Sequence, residues 1–263
     1  MARERILGIP FFTGSVEEAV AETWRGGLVV APSGPNLANE LRTVPDYRRA
    51  VEAADVALTD SAVMVAVYRA ATGRSVPRHS GLKFLEAMLA EPALREPGAA
   101  FWVMPTEEEG NRIAAWLRTQ GFPVDASNTY VAPFYRGYPI ADEELLRRLR
   151  TAKPKVVFLN LAGGKQEVLG AWLRERLDPC PGIVCTGAAV AFLAGTQAKI
   201  PVWADRSGLG WLMRCIYEPR KFIPRYWSAL PLVWMVWSGA RRAADQETKR
   251  RRDEETKRRR DEF

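Results

Sequence analysis

Short runs of β-branched and aliphatic residues alternate along most of the chain with segments of helical period. Gly27-Leu-Val-Val-Ala31 is followed by residues 36–53, apolar at Leu37, Leu41, Tyr47 and Val51, and then by Val56-Ala-Leu-Thr59. That order predicts strand, helix, strand. It returns at Ala99-Ala-Phe-Trp-Val-Met104, where an acidic helix start, Thr106-Glu-Glu-Glu109, leads into Ile113, Trp116 and Leu117. Thr106 is placed to cap that helix, with Glu109 in the capping-box position. A third unit joins Val156-Val-Phe-Leu-Asn-Leu161, a Gly163-Gly164 turn, and the helical run Val168, Leu169, Trp172, Leu173, Leu177; Gly182-Ile-Val-Cys-Thr-Gly187 then predicts another strand. Strands that are continuously apolar and separated by helices imply a parallel sheet covered on both faces. Ligands of such sheets sit at the carboxyl ends of the strands, which directs attention to residues 31–36, 59–62, 160–167 and 186–190.

Beyond Pro201 the texture changes. Trp203, Trp211, Trp227, Trp234 and Trp237 are interleaved with Arg206, Arg214, Arg220, Lys221 and Arg225. Tyr226-Trp-Ser-Ala-Leu-Pro-Leu-Val-Trp-Met-Val-Trp237 is strongly apolar but too short to span a bilayer, a length that suits interfacial insertion or core packing. Tryptophans beside arginines suit a membrane surface, and equally a protein interface between copies of the chain. The end repeats Glu-Thr-Lys-Arg-Arg-Arg-Asp-Glu at 247–254 and 255–262 without one apolar position, so it reads as a disordered tail or a solvated helix. The organisation expected is a core over 1–198, a basic Trp-rich appendage over 199–240 and a charged tail over 241–263.

Charge sharpens this division. Residues 1–198 carry 22 basic and 22 acidic side chains, so the net charge of +7 arises wholly from the remainder. The acids beside the tail arginines, and the lack of interleaved aromatic residues there, argue against nucleic acid as a partner. The three cysteines, Cys180, Cys185 and Cys215, form no CxxC pair, which argues against a disulfide framework or a structural zinc site and for a reducing cytosol. No secretory signal or spanning helix is expected. No His, Cys or carboxylate cluster has metal-ligand spacing, and neither metal nor cofactor is expected.

Candidate chemistry gathers at the predicted strand ends. Asp60 closes a strand, where a carboxylate could take a proton from an acceptor hydroxyl or cap the helix that starts near Ser61. Asn160-Leu-Ala-Gly163-Gly164-Lys165-Gln166-Glu167 is a strand-loop-helix junction able to bring a diphosphate to a helix N-terminus, or simply a glycine turn with Lys165 in solvent. The loop matches neither GxGxxG nor GxxxxGK[ST], so dinucleotide and P-loop readings, including a dehydrogenase, lose support. Thr186-Gly187-Ala188-Ala189 could supply a second cleft wall. His79, the single histidine, reads as a surface or packing residue, and Cys185 and Cys215 read as core.

Four separated stretches in order resemble the WecG/TagA/CpsF family of bacterial glycosyltransferases from about Gly27 to Tyr226. Phe192-Leu-Ala-Gly-Thr-Gln-Ala-Lys-Ile-Pro-Val-Trp203, Gly208-Leu-Gly-Trp-Leu-Met-Arg214 and Glu218-Pro-Arg220 are similar to its FLAG…AP.W…GLEWLYR…EP.R signature. Lys165-Gln166-Glu167 matches PKQE, Arg78-His-Ser-Gly81 resembles R.TG, and the segment from Tyr47 to Asp60 resembles the one ending in DG. The resemblance implies an α/β, Rossmann-like core with helices on both faces and a helical, membrane-associating C-terminal appendage. It further implies an inverting, metal-independent transfer of a sugar, N-acetylmannosamine-like or related, from a UDP-sugar donor to a polyprenyl-diphosphate-linked glycan acceptor. The setting would be the cytoplasmic face of the plasma membrane.

On that reading Asp60 is the general base, and Ser33, Asn36, Arg78, Asn160, Gly163, Lys165, Gln166, Glu167, Gly187 and Ala188 line the nucleotide-sugar site. Arg214, Arg220 and Arg225 meet the diphosphate, the acceptor or lipid headgroups. The chain departs from the family pattern where TPNP becomes Ala31-Pro-Ser33-Gly34, DG becomes Asp60-Ser61, GG.FD becomes Gly187-Ala-Ala-Val-Ala191, and GLEW becomes Gly208-Leu-Gly210-Trp211. A changed polar lining favours a divergent donor sugar. The alternative is a catalytically impaired nucleotide-sugar-binding or scaffold subunit of a membrane assembly complex.

Overall fold

The computed structural model describes residues 2–195, 210–217 and 219–242. The stretch 196–209, the 247–262 repeat, and the side chains of Trp211, Arg214 and Arg225 lie outside the described residues.

An eight-stranded sheet forms the centre. The strands are β1 (Arg3–Ile6), β2 (Ile9–Phe12), β3 (Gly27–Val30), β4 (Val56–Ala57), β5 (Ala100–Met104), β6 (Thr129–Val131), β7 (Val156–Leu159) and β8 (Gly182–Cys185), in the order β1-β2-β4-β3-β8-β7-β5-β6. All pairings are parallel except β1 with β2. That antiparallel hairpin was not legible in the apolar pattern. It turns through Leu7 and Gly8, both at positive φ (56° and 88°), the geometry of a two-residue hairpin loop.

The helices are α1 (Val16–Trp24), α2 (Gly34–Thr43), α3 (Pro45–Glu52), α4 (Ala62–Thr72), α5 (Gly81–Ala90), α6 (Glu107–Thr119), α7 (Glu143–Ala152), α8 (Lys165–Arg174), α9 (Ala189–Leu193), α10 (Gly210–Tyr217), α11 (Pro219–Trp227) and α12 (231–242). The periodic run 36–53 is two helices rather than one. Pro45 has no N–H to continue the ladder and forces Val44 to an extended conformation (φ −120°, ψ 97°), so the chain bends between α2 and α3. Thr106 caps α6 through its hydroxyl, which accepts the Glu109 N–H at 3.2 Å.

Alternate residues of each central strand enter opposite cores, which is why the strands are apolar throughout. Leu28, Val30, Phe101, Val103, Val157 and Leu159 pack under α2, α3, α4, α7 and α8. Val29, Ala100, Trp102, Met104, Val156 and Phe158 pack under α1, α5, α6 and α9. In the second core Trp102 stacks on Phe158 with centroids 4.4 Å apart and meets Phe122 edge-on at 6.1 Å. The fold is therefore the expected mixed α/β sheet with helices on both faces.

The apolar run 226–237 divides between two environments. Leu232 and Val236 are each 1% exposed, and with Ala240 they seat α12 in the first core. The Asn39 amide donates to Ser228 at 3.1 Å, tying α2 to the chain just before α12. Trp227 (74% exposed) and Trp234 (71%) face outward. No helix among the described residues is long and apolar enough to cross a membrane.

If α12 is part of the core, Leu232→Ala will cost about 2–4 kcal/mol in urea unfolding through lost burial and the residual cavity. Trp234→Ser will change stability by less than about 0.5 kcal/mol. Equal effects of the two variants would show that α12 is not seated as described.

Candidate active site

The carboxyl ends of β4, β3, β8, β7 and β5 surround a cavity of about 570 Å³. Its lining includes Ser33, Asn36, Glu40, Asp60, Ser80, Glu109, Asn160, Gln166, Glu167 and Thr186. Five loops that are distant in sequence converge there because the parallel strands all end on the same side.

Asp60 enters from the β4 side. Its Oδ1 accepts the Gly81 N–H at 2.9 Å, and its main-chain oxygen accepts Arg78 Nε at 3.2 Å. Thr59 Oγ1 donates to Pro77 O at 2.5 Å and accepts the His79 N–H at 3.0 Å. The 77–81 segment is thus strapped to the strand end that carries Asp60. The role of helix cap falls to Ser61, whose hydroxyl accepts the Met64 N–H at 3.2 Å; Asp60 instead meets the first turn of α5.

A polar ladder on α2 forms the next wall. Ser33 Oγ donates to Asn36 Oδ1 at 2.5 Å, Asn36 Nδ2 donates to Glu40 Oε1 at 3.1 Å, and Tyr138 OH donates to Glu40 Oε2 at 3.3 Å. The ladder explains the two glycines opposite it. A Cβ on Gly163 would lie 2.8 Å from the Asn36 amide oxygen, and one on Gly164, whose φ is +88°, would collide with the Glu40 carboxylate. Close approach at this loop is therefore made by α2 side chains. Tyr138 is pushed above the ordinary phenol range by burial and then by the Glu40 carboxylate.

The β7–α8 and β8–α9 loops are joined through side chains. Glu167 Oε2 accepts the Gly164 N–H at 2.6 Å, Gln166 Nε2 donates to Glu167 Oε1 at 3.1 Å, and Gln166 Oε1 accepts the Gly187 N–H at 2.9 Å. Glu167 is 1% exposed, and burial pushes its carboxyl up to about 7. Asn160 is buried and spans to the neighbouring strand, donating Nδ2 to Val103 O at 3.1 Å. Gly187 (φ +63°) and Ala188 form the turn that precedes α9 and line the cavity.

Not every expected residue reaches the cavity. Lys165 turns outward, donating Nζ to Gly137 O at 3.1 Å and lying 3.7 Å from the Tyr138 ring centroid. Arg78, whose Nε donates to Asp60 O, is not among the residues that line the cavity. His79 is buried, its Nε2 is 2.7 Å from Gly14 O, and burial lowers its pKa. Cys185 is buried, with its thiol pushed up by burial. Arg220 is exposed on α11. Among the described residues the lining holds four carboxylates, Glu40, Asp60, Glu109 and Glu167, and no Lys, Arg or His. No three His, Cys, Asp or Glu side chains among them converge as a metal site would require.

Glu40, Ser80 and Glu109 were not expected in the site, whereas Thr186 lay in the expected second wall. Glu40 had a signal: Ser33, Asn36 and Glu40 recur at helical spacing beside apolar Leu37 and Leu41, which marks a polar stripe.

A mostly parallel, doubly covered sheet with a polar cavity at its carboxyl edge defines an α/β ligand-binding protein in which a glycine-bearing loop and a carboxylate-bearing strand end face one space. The glycosyl transferase WecG/TagA/CpsF family model matches residues 4–246, and the chain belongs to that family. No curated protein shows a significant match. The protein is a glycosyltransferase, and family membership implies a role in polysaccharide synthesis with a nucleotide-sugar donor and a lipid-linked acceptor in general.

Gly164→Ala will destabilise the protein by more than about 1 kcal/mol, from both the left-handed φ and the collision with Glu40. In a Glu40→Ala background the same substitution will cost measurably less by urea titration, a coupling that a double-mutant cycle reads directly. Additivity of the two changes would refute the contact.

Proposed function

We propose that the chain is an inverting, metal-independent glycosyltransferase that moves a sugar, N-acetylmannosamine-like or related, from a UDP-sugar to a polyprenyl-diphosphate-linked acceptor at the cytoplasmic membrane surface. The observation that carries this is Asp60, a carboxylate set in the cavity wall at a strand end and oriented by the Gly81 N–H. In the proposed step the acceptor hydroxyl gives its proton to the Asp60 carboxylate as its oxygen bonds to the anomeric carbon. The bond from that carbon to the diphosphate breaks on the opposite face, and UDP leaves with the electron pair.

The leaving group gains charge beside a wall that carries Glu40, Asp60, Glu109 and Glu167 among the described residues. Cations stabilise such a leaving group. Arg214, Arg220 and Arg225 of the 199–240 appendage would supply them, their planar forks suiting phosphate oxygens. Exposed Leu212, Ile216, Tyr217, Ile223, Trp227, Leu230 and Trp234 would hold this segment at the lipid surface and bring the acceptor to the cavity. A non-catalytic nucleotide-sugar-binding or scaffold subunit is the second reading, favoured by the alanines at 31 and 191 in the cavity wall.

The decisive experiment incubates the full chain with a panel of UDP-sugars and a short-chain polyprenyl-diphosphate-sugar, and follows UDP release. Release with one donor that survives EDTA, and falls at least about 100-fold in Asp60→Asn with donor binding unchanged, is the expected result. Turnover retained in Asp60→Asn removes Asp60 as the base; donor binding without release across the panel favours the scaffold subunit.

A further inference from the structure

Gln166 and Glu167 both line the cavity, and their side chains hydrogen-bond to Gly164, to each other and to Gly187. The chain Gly164 N–H, Glu167 carboxylate, Gln166 amide, Gly187 N–H begins on the loop after β7 and ends on the loop after β8. It also fixes the orientation of the Gln166 amide. The Gly187 N–H can only donate, so the amide oxygen must face it, and the amide nitrogen then faces the Glu167 carboxylate. The Cys185 thiol lies 3.4 Å from Gln166 O, seating the same residue on the end of β8.

We propose that Gln166 and Glu167 are positioning residues: a two-membered brace that sets the spacing of the β7–α8 and β8–α9 loops and thereby the affinity of the cleft for a nucleoside diphosphate. This rests on the nucleotide-sugar reading above and replaces direct nucleotide contact as the role of these two side chains. Two of the three donors in the brace, the Gly164 N–H and the Gln166 amide nitrogen, point at Glu167, and only the carboxylate offers each of them a full acceptor. A protonated carboxyl keeps one carbonyl oxygen and adds a donor, so one link is lost.

The brace is consequently sensitive to pH. Glu167 is held near neutrality by burial, opposed by Gln166 and by the N–H groups of Glu167 and Gly164, and raised again by Glu40. The groups facing it are Glu40 from α2, Tyr47 from α3, Tyr138 from the segment before α7 and Cys185 from β8. The two phenols and the thiol are all shifted upward and remain neutral through neutrality, which leaves Glu40 as the neighbouring carboxylate. Because protonation weakens the brace, the cleft loosens as pH falls through about 7.

The test uses UDP as probe and the full-length chain, with dissociation constants measured at about pH 6 and pH 8. Wild type should bind UDP roughly tenfold more weakly at the lower pH, the change in the ionised fraction of a group titrating near 7. Gln166→Glu places two carboxyls where one proton can bridge them, so its profile should invert, with tighter binding at pH 6. Glu167→Gln, which presents an amide to two donors, should bind weakly at both. Comparison at each pH cancels the titration of UDP itself. In parallel, hydrogen exchange of the Gly187 amide in ligand-free protein should lose at least about tenfold in protection in Gln166→Ala.

Identical pH profiles in wild type and Gln166→Glu would overturn the brace. So would weakened UDP binding in Gln166→Ala with Gly187 protection intact, which would make Gln166 a ligand contact. If wild type binds no UDP at either pH, the UDP-sugar reading fails, and unchanged Gly187 exchange in Gln166→Ala would then be what overturns the brace.

Discussion

Burial of the sheet on both faces constrains everything else in this protein. With Val29, Trp102, Phe158 and Val184 in one core and Leu28, Phe101, Val157 and Ile183 in the other, the inner strands have no face left on which to display a polar side chain. Polar chemistry is displaced to the strand ends, and since the strands from β2 to β6 run in one direction their carboxyl ends share one rim. The cavity follows from that topology: two walls come from neighbouring strands and a third from the helix that follows β3.

The rim is organised by hydrogen bonds among its own side chains. Ser33, Asn36 and Glu40 form one ladder, Glu167 and Gln166 a second, and Thr59 with the 77–81 segment a third. Such networks hold a site's geometry before ligand arrives, and their energetic leverage is large because an unmade bond in a buried place is costly. The glycine pair at 163–164 belongs to this organisation. It admits Asn36 and Glu40 against the loop, so its flexibility serves packing between α2 and the β7–α8 turn.

Among the described residues the cavity lining carries Glu40, Asp60, Glu109 and Glu167. The basic excess of the chain lies beyond residue 198, and α12 fastens the far end of that segment to the core through Leu232 and Val236. On the outer side of the same region Trp227 and Trp234 are exposed.

Much of this was legible in the order of residues. Continuous apolar runs at 27–31, 56–58, 99–104, 156–161 and 182–185 require strands buried on both sides, and Asp60, Asn160, Gln166 and Gly187 stand at or shortly after the ends of three of them. The motif order from Tyr47 to Arg220 placed the chain in its family, and the match over 4–246 agrees. The β1–β2 hairpin lay outside the apolar pattern, the break between α2 and α3 is marked by Pro45 rather than by the period, and packing decided between the two readings of the run 226–237 by burying Leu232 and Val236. The same holds within the site. Residue type and position along the chain marked Lys165 and Gln166 alike, but only tertiary packing turned Lys165 out to Tyr138 and Gln166 inward to Gly187. Local sequence determines which residues stand at a strand end; the neighbouring elements, 20 to 100 residues away, decide which way each side chain finds its partner.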